Sequence, residues 1–377
     1  MPKCGFYQRR WLYLNIKNIY DYHIMENIIR VGLIGFGVGG RYFHAPIINA
    51  VQGLELTAIQ TKNPDNIEAA KKCYPNVKTV AESSEIFNDP TIDLVAISTP
   101  NIYHKPLAEE ALKAGKHVII DKPFTITTQD ADELISLAFE KNRILSSYQN
   151  RRFVSDFFTV QKLLESGLLG NVVSYEVHYD RFRPLLKLNA WREKPQPGSG
   201  VFYDLGPHLI DQALHLFGMP NEVTAFIGIE RPGCETDDNF QIFLHYDKLK
   251  VSLNVTMLGK QPAPFFRING DKGSFVKYGM DVQEAALRAG LQPNDVPNWG
   301  VEPEDLWGTL STECQGLNME CKIQSETGDF RKYYENIRDA ILGKASLLVT
   351  PGQARNVIRI VELGIQSSQE KRTVAVD

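Results

Sequence analysis

Three side chains in this sequence have the type and placement to handle a proton while a hydride moves beside them: Lys122, Asp204 and His208. Lys122 stands in Asp121-Lys122-Pro123, at the end of the apolar run His117-Val118-Ile119-Ile120, where a charge seldom lies without a task. Asp204 and His208 belong to Tyr203-Asp204-Leu205-Gly206-Pro207-His208, in which Gly206-Pro207 predicts a helix start with both residues at its mouth. Interconverting a secondary alcohol and a carbonyl with a nicotinamide needs one group to carry the alcohol proton and another to steady charge on the oxygen. An imidazole suits the first task because it titrates near neutrality, and an ammonium suits the second. Taken singly, each has a plainer reading: His208 as a satisfied helix-terminal histidine, Lys122 as the partner of an ion pair.

The cofactor for such chemistry is announced upstream. The run Val31-Gly32-Leu33-Ile34 leads into Gly35-Phe36-Gly37-Val38-Gly39-Gly40, a G-x-G-x-x-G turn. Gly35 takes the tight bend, Gly37 lets backbone approach a pyrophosphate, and Gly40 allows close helix packing. Roughly 20 positions further, where an NAD site carries an acid for the ribose 2′-hydroxyl, stands Gln60-Thr61-Lys62-Asn63. No acid is present there; the Thr61 hydroxyl and the Lys62 cation suit a 2′-phosphate, so NADP is expected over NAD. If Lys62 is simply solvated, either cofactor would serve. A further apolar run over 94–98 ends in Thr99-Pro100-Asn101, with His104 three residues on, and Lys122 ends the next strand; ligands of open α/β sheets bind beyond such strand ends.

These residues need a scaffold to position them. From residue 29 to about residue 150 short apolar runs alternate with helical patterns, the rhythm of a parallel sheet. Strands are expected at 54–59, 94–98, 117–120 and 144–148, with helices at 66–72, 106–114 and 129–140. After Arg151 the rhythm changes: one helix over 153–166, then strands at 172–182, 222–230, 240–246, 250–258 and 265–269 that alternate apolar and polar residues. The expected architecture is an α/β Rossmann domain over residues 25–150, then an α+β domain with a large, mostly antiparallel open sheet over residues 151–377. Residues 1–24 read as an N-terminal extension, residues 280–329 as a long loop region with short elements, and 331–342 and 352–370 as amphipathic helices placed to pack back on the first domain. An open sheet needs its free face covered, which points to a homodimer or homotetramer.

Composition removes several alternatives. The 377 residues carry a formal net charge of −4 and no basic run, so nucleic acid is not an expected partner. No stretch approaches the ~20 apolar residues of a membrane span, and residues 1–24 lack the apolar core of a signal peptide. Five scattered cysteines without a C-x-x-C pair suggest neither a disulfide framework nor a zinc site, and fit a reducing cytoplasm. Asp204, His208, Asp211 and His215 are close enough in sequence to raise a metal, but one helix rarely converges three ligands, so none is expected.

The ordered set G-x-G-x-x-G, Thr-Pro-Asn-x-x-His, strand-end acid-Lys-Pro and Asp-x-x-x-His resembles the family of glucose-fructose oxidoreductases, inositol dehydrogenases and rhizopine-catabolism proteins (Gfo/Idh/MocA), across the chain from Met25 onward. Phe43-His44-Ala45-Pro46, Asn150-Arg151-Arg152, Asp180-Arg181-Phe182-Arg183 and Trp191-Arg192 are similar to its NADP-dependent scyllo-inositol dehydrogenase branch. The resemblance implies Lys122, Asp204 and His208 as the catalytic set, with Asp121 where the family more often has Glu. In it His208 would be general base for oxidation and general acid for reduction, Lys122 would stabilise the alkoxide, and Asp204 would orient hydroxyls or favour a charged His208. It also implies that His44, Tyr103 and His104 lie near the cofactor. For substrate, Arg152, Tyr203 and Trp191 are the candidates, although Arg152, Arg181, Arg183 and Arg192 could equally pair with acids such as Asp156, Asp180 and Glu193, and the aromatic residues could be core. The implied activity is hydride transfer between NADP and a polyol, cyclitol or sugar, with scyllo-inositol and its ketone as the leading pair. A non-catalytic NADP-binding regulator, and a glycosidase or isomerase using transient oxidation, are the rival classes.

Overall fold

The computed structural model describes residues 28–187 and 191–377; the extension expected at residues 1–24 lies outside them. Six parallel strands form the first sheet: β1 (Ile29–Ile34), β2 (Leu54–Gln60), β3 (Lys78–Val80), β4 (Leu94–Ile97), β5 (His117–Asp121) and β6 (Leu145–Tyr148). Their order is β3-β2-β1-β4-β5-β6, the doubly wound arrangement whose ligand crevice opens where the order reverses, beside β1 and β4. Helices cover both faces, which is why β4 is buried at every residue and reads as a continuous apolar run. β3, with three residues, is too short to leave a pattern in the sequence.

The second sheet has nine strands: β7 (Val172–His178), β8 (Glu222–Gly228), β9 (Asn239–His245), β10 (Lys250–Thr256), β11 (Phe266–Gly270), β12 (Gly273–Lys277), β13 (Gly308–Cys314), β14 (Leu317–Ile323) and β15 (Val374–Ala375). In the order β14-β13-β12-β11-β7-β10-β9-β8-β15, only the β7–β10 pair is parallel. Val223, Ile242, Leu244, Val251, Leu253 and Ile268 point to one face and join a core with Leu205, Leu209, Ile210 and Val361 from the helices Gly200–Phe217 and Pro351–Glu370. The opposite face is more open, with Phe226 left 62% exposed.

Two expectations need correction. Residues 280–329 hold a short helix, Gln283–Arg288, and the β13–β14 hairpin; β14 is exposed on both faces, so it has no alternation to read. The helix bearing Asp204 and His208 does not start at Gly206-Pro207 but runs from Gly200 to Phe217 with Pro207 inside it. Its beginning is set from a distance: Asp237 accepts the Phe202 amide at 2.6 Å, and the Asp237 carbonyl accepts the Val201 amide. Pro207 removes one helical hydrogen bond, a cost the helix meets by burying a continuous apolar stripe.

The helices Arg331–Ile341 and Pro351–Glu370 pack on the first domain. Phe330, Tyr333, Tyr334 and Ile337 share a core with β1 and Tyr148, while Ala354 and Ile358 join the core under β5 and the helix Thr128–Glu140.

Candidate active site

At the glycine turn, Gly35 has φ +89°, a conformation that strains any side chain, and a Cβ on Gly40 would lie 2.0 Å from the Gly35 carbonyl oxygen. A Cβ on Gly37 would meet nothing within 4 Å, so this side of the turn is open. Thr99 reaches the same edge with its Oγ1 buried and, among the described residues, unpaired, as are Gln149 Oε1 and Asn150 Oδ1 near the end of β6. Open space at Gly37 beside orphaned polar atoms fits a dinucleotide's phosphates and nicotinamide end. Sequence reasoning passed over Gly39: a Cβ there would stand 2.2 Å from Ser98 Oγ and 2.7 Å from Asp121 Oδ2.

Lys122 Nζ reaches across to the second domain. It donates to Asp204 Oδ1 at 2.9 Å and to the Asp204 carbonyl at 2.5 Å, with its side chain 13% exposed. An ammonium has three protons, so one remains for a ligand. Asp204 also accepts from Arg192 Nε at 3.1 Å. Burial alone would raise the Asp204 pKa; Lys122 and Arg192 outweigh it and hold the carboxyl well below its ordinary range. Asp204 and His208, four residues apart, share one helix face.

His208 is 8% exposed, and its Nδ1 is buried without a partner among the described residues. Burial, then Lys122, then Arg151 push its pKa well below the ordinary histidine value, more than Asp204 and Asp121 offset. Asp204 thus does favour the charged ring, but burial, Lys122 and Arg151 outweigh it and favour the neutral imidazole. Beneath Lys122, Asp121 accepts Ser98 Oγ at 3.0 Å and the Lys122 amide at 2.8 Å, and lies 3.5 Å from His44 Nε2. His44 Nδ1 is 2.6 Å from the Tyr334 hydroxyl, so His44 is buried support rather than a surface that meets a ligand. Burial would raise the Asp121 pKa, but His44 and Lys122 keep it low.

Several sequence candidates are spent on structure. Both His104 nitrogens lie on backbone carbonyls, of Pro123 at 2.8 Å and Thr99 at 3.0 Å, in a 1% exposed setting; it braces the two turns instead of touching cofactor. Asn101 Nδ2 donates to the Gly198 carbonyl at 2.6 Å, tying the turn begun by Pro100 to the start of the Asp204 helix. Arg152 is no substrate ligand: it makes a buried two-pronged pair with Asp211 at 2.6 and 2.7 Å and caps the chain near Leu348 and Gln353. Asp211 is thereby committed to Arg152, and His215 packs on Phe157. Tyr203 gives its hydroxyl to the Ile126 carbonyl at 3.1 Å. Trp191 meets the site indirectly, carrying the Arg192 guanidinium 4.5 Å from its ring centre. Tyr103 is 50% exposed.

At the end of β2, Thr61 is 7% exposed, and its Oγ1 lies 3.4 Å from the Asn63 amide nitrogen. Lys62 pairs with Glu82 at 2.7 Å, both largely exposed. Glu82 lies just beyond β3, in a segment that the motif's spacing gave no reason to inspect.

Profiles of the Gfo/Idh/MocA oxidoreductases match twice: the NAD-binding Rossmann fold over residues 29–149 and the C-terminal alpha/beta domain over residues 161–376. The chain belongs to this oxidoreductase family. Among Gfo/Idh/MocA relatives, the uncharacterized oxidoreductase YdgJ of Escherichia coli is 42% identical over 93% of this chain and 100% of its own. The scyllo-inositol 2-dehydrogenase (NADP(+)) IolW of Bacillus subtilis is 39% identical over 93% of this chain and 96% of its own. In fold, the oxidoreductase yvaA of Bacillus subtilis superposes with a TM-score of 0.89 at 39% identity, covering 93% of this chain and 99% of that one. A Bacteroides fragilis oxidoreductase gives 0.84 at 40% identity, covering 93% and 100%. This protein is therefore an oxidoreductase with a nucleotide-binding Rossmann domain, and none of its described helices is long and apolar enough to cross a membrane.

Proposed function

We propose that this protein is an NADP-dependent dehydrogenase or reductase acting on a secondary alcohol of a polyol, cyclitol or sugar, with scyllo-inositol and its ketone as the reference pair. The observation that carries the reading is the pairing of Lys122 with Asp204 beside the open glycine turn, with His208 one helical turn beyond Asp204. The 39% identity to a scyllo-inositol dehydrogenase supports the substrate class, and the acid-free Gln60-Thr61-Lys62-Asn63 supports NADP.

When bound, the nicotinamide supplies or accepts the hydride; the protein's residues govern the proton and the oxygen. Neutral His208 takes the hydroxyl proton as the carbonyl forms and returns it in reduction. The third proton of Lys122 Nζ hydrogen-bonds the reacting oxygen and steadies its negative charge. Asp204 fixes that ammonium and accepts from a neighbouring substrate hydroxyl. The more open face of the second sheet supports assembly as a homodimer or homotetramer, which light scattering would measure, and four unpaired cysteines among the described residues agree with a reducing cytoplasm.

The test is a screen of NADP+ reduction and NADPH oxidation across inositols, inososes, aldoses and sugar acids, with Lys122→Ala and His208→Ala as controls. Turnover lost in both variants while NADPH still binds is expected. Cofactor binding without turnover of any compound would move the reading to a regulator. Product without net cofactor change would move it to transient oxidation.

A further inference from the structure

Beyond Tyr179 the chain continues β7 alongside β10: the amides of Tyr179, Arg181 and Arg183 donate to the carbonyls of Asn254, Thr256 and Met257. In extended backbone alternate residues share a face, so Tyr179 and Arg181 point one way; the pairing then slips by one residue, and Arg183 follows two positions on in the same segment. The Tyr179 hydroxyl is shared by Arg151, at 3.2 Å, and Arg181, at 3.1 Å, and Arg181 also stacks 4.7 Å from the Tyr179 ring centre. This face borders the catalytic set: the Arg151 carbonyl accepts from Gln212 Nε2 at 2.7 Å, on the helix that carries Asp204 and His208.

The charges here do not balance. Arg192 is paired with Asp204, and Arg151 and Arg288 share Glu284. Half-buried Arg181 and exposed Arg183 have no carboxylate within 4 Å among the described residues; partial burial, Arg181 and Arg288 weigh against the charge on Arg183, while Tyr179 and Asp204 favour it. Like charges held together without counter-ions raise the energy of the fold, and a ligand that brings the missing charge relieves it. Guanidinium forks are matched to carboxylate and phosphate oxygens.

We infer that Arg181 and Arg183 form an anion subsite, and that the preferred substrate is a polyol bearing a carboxylate or phosphate in addition to the carbinol that meets Lys122, Asp204 and His208. This rests on the redox function proposed above and narrows its substrate from neutral cyclitols to their acidic counterparts.

The test is calorimetric binding to the NADP+ complex with D-glucuronate, myo-inositol 1-phosphate and scyllo-inositol, alongside turnover of each. At least one anion should bind about tenfold or more tightly than scyllo-inositol, and which one does so assigns carboxylate or phosphate. Raising salt from about 20 to about 300 mM should weaken the anion and leave scyllo-inositol unchanged. Arg181→Gln and Arg183→Gln should each lower the anion-to-neutral affinity ratio about tenfold, with NADPH fluorescence reporting that the fold persists. Arg267→Gln, on an exposed position of β11, should leave the ratio as it was. Equal affinities for the three compounds, or a ratio unmoved by the Arg181 and Arg183 changes, would overturn the inference. Tight anion binding with no turnover would instead remove the redox function and leave the subsite standing; turnover of scyllo-inositol without anion preference would do the reverse.

Discussion

The NADP preference proposed above can be tested at an exposed pair, Lys62 and Glu82, 2.7 Å apart with side chains 64% and 62% exposed. In water two unit charges at about 4 Å interact by about 1 kcal/mol, so Lys62 against a doubly charged 2′-phosphate gains about 2 kcal/mol before screening. Glu82 draws on the same ammonium and repels the phosphate, subtracting about 1 kcal/mol; an exposed pair of this kind is itself worth only ~0–1 kcal/mol and yields readily. The net preference attributable to Lys62 is thus about 1 to 2 kcal/mol, roughly tenfold in kcat/KM. Lys62→Ala should lower kcat/KM for NADP+ by about tenfold and change NAD+ by less than about twofold. Glu82→Gln should raise the NADP+ value by about three- to tenfold, because the repulsion goes while Lys62 remains. Steady-state kinetics with both cofactors, repeated at high salt where the differences should shrink, decides the matter. A natural preference for NAD+, or a Glu82→Gln enzyme weaker with NADP+, would refute the reasoning.

Four other outcomes follow from the same structure. Since burial and the charges of Lys122 and Arg151 keep His208 neutral, kcat/KM for alcohol oxidation should stay level to below pH 6.5, and Lys122→Met should move the acid limb of its residual activity upward. Asp156 is buried beside Asp281 and Glu302, with its pKa pushed up to about 7; the native state therefore binds the extra proton, and stability falls as pH rises from about 4 to about 7. Asp156→Asn should consequently raise the unfolding free energy above pH 7 by about 4 kcal/mol, read as a higher melting temperature, and do nothing at pH 4, whereas a gain independent of pH would contradict this. Arg152→Ala strands Asp211 in the interior and should cost about 3 to 5 kcal/mol in thermal unfolding. Gly39→Ala drives a methyl into Ser98 Oγ and Asp121 and should abolish NADPH binding, with partial recovery in a Gly39→Ala/Ser98→Gly double variant, both readable by fluorescence titration.

The sequence was legible where local rules act. Fully buried strands such as β4 and β5 announce themselves as apolar runs, and the glycine turn carries its own spacing. What escaped depends on partners remote in sequence. Gly206-Pro207 looks like a helix start until Asp237, some thirty positions on, is found capping the true beginning at Gly200. Arg152 is indistinguishable in composition from Arg181, yet one meets buried Asp211 and the other the hydroxyl and ring of Tyr179. His104 fitted a cofactor motif, but the motif's spacing cannot reveal that both ring nitrogens are claimed by carbonyls on either side. Trp191 is tied to Asp204 only through the Arg192 that stacks on it, a link that composition could not show.

The two closing helices have a consequence for anyone who would recombine this enzyme with a relative. Tyr333 donates to Ser146 of β6, Ser146 donates to the Val349 carbonyl, and Thr128 is held by Glu362 through both its amide and its hydroxyl. A chimera cut near residue 150 would therefore join a nucleotide module to the wrong tail, exposing apolar surface that Tyr334 and Ile358 normally cover. The front module therefore depends on the segment from Phe330 to about Glu362, whose last helix also serves the second sheet through Val357, Ile360 and Val361, so cofactor preference transplanted without a matching tail would arrive on a scaffold unable to hold it.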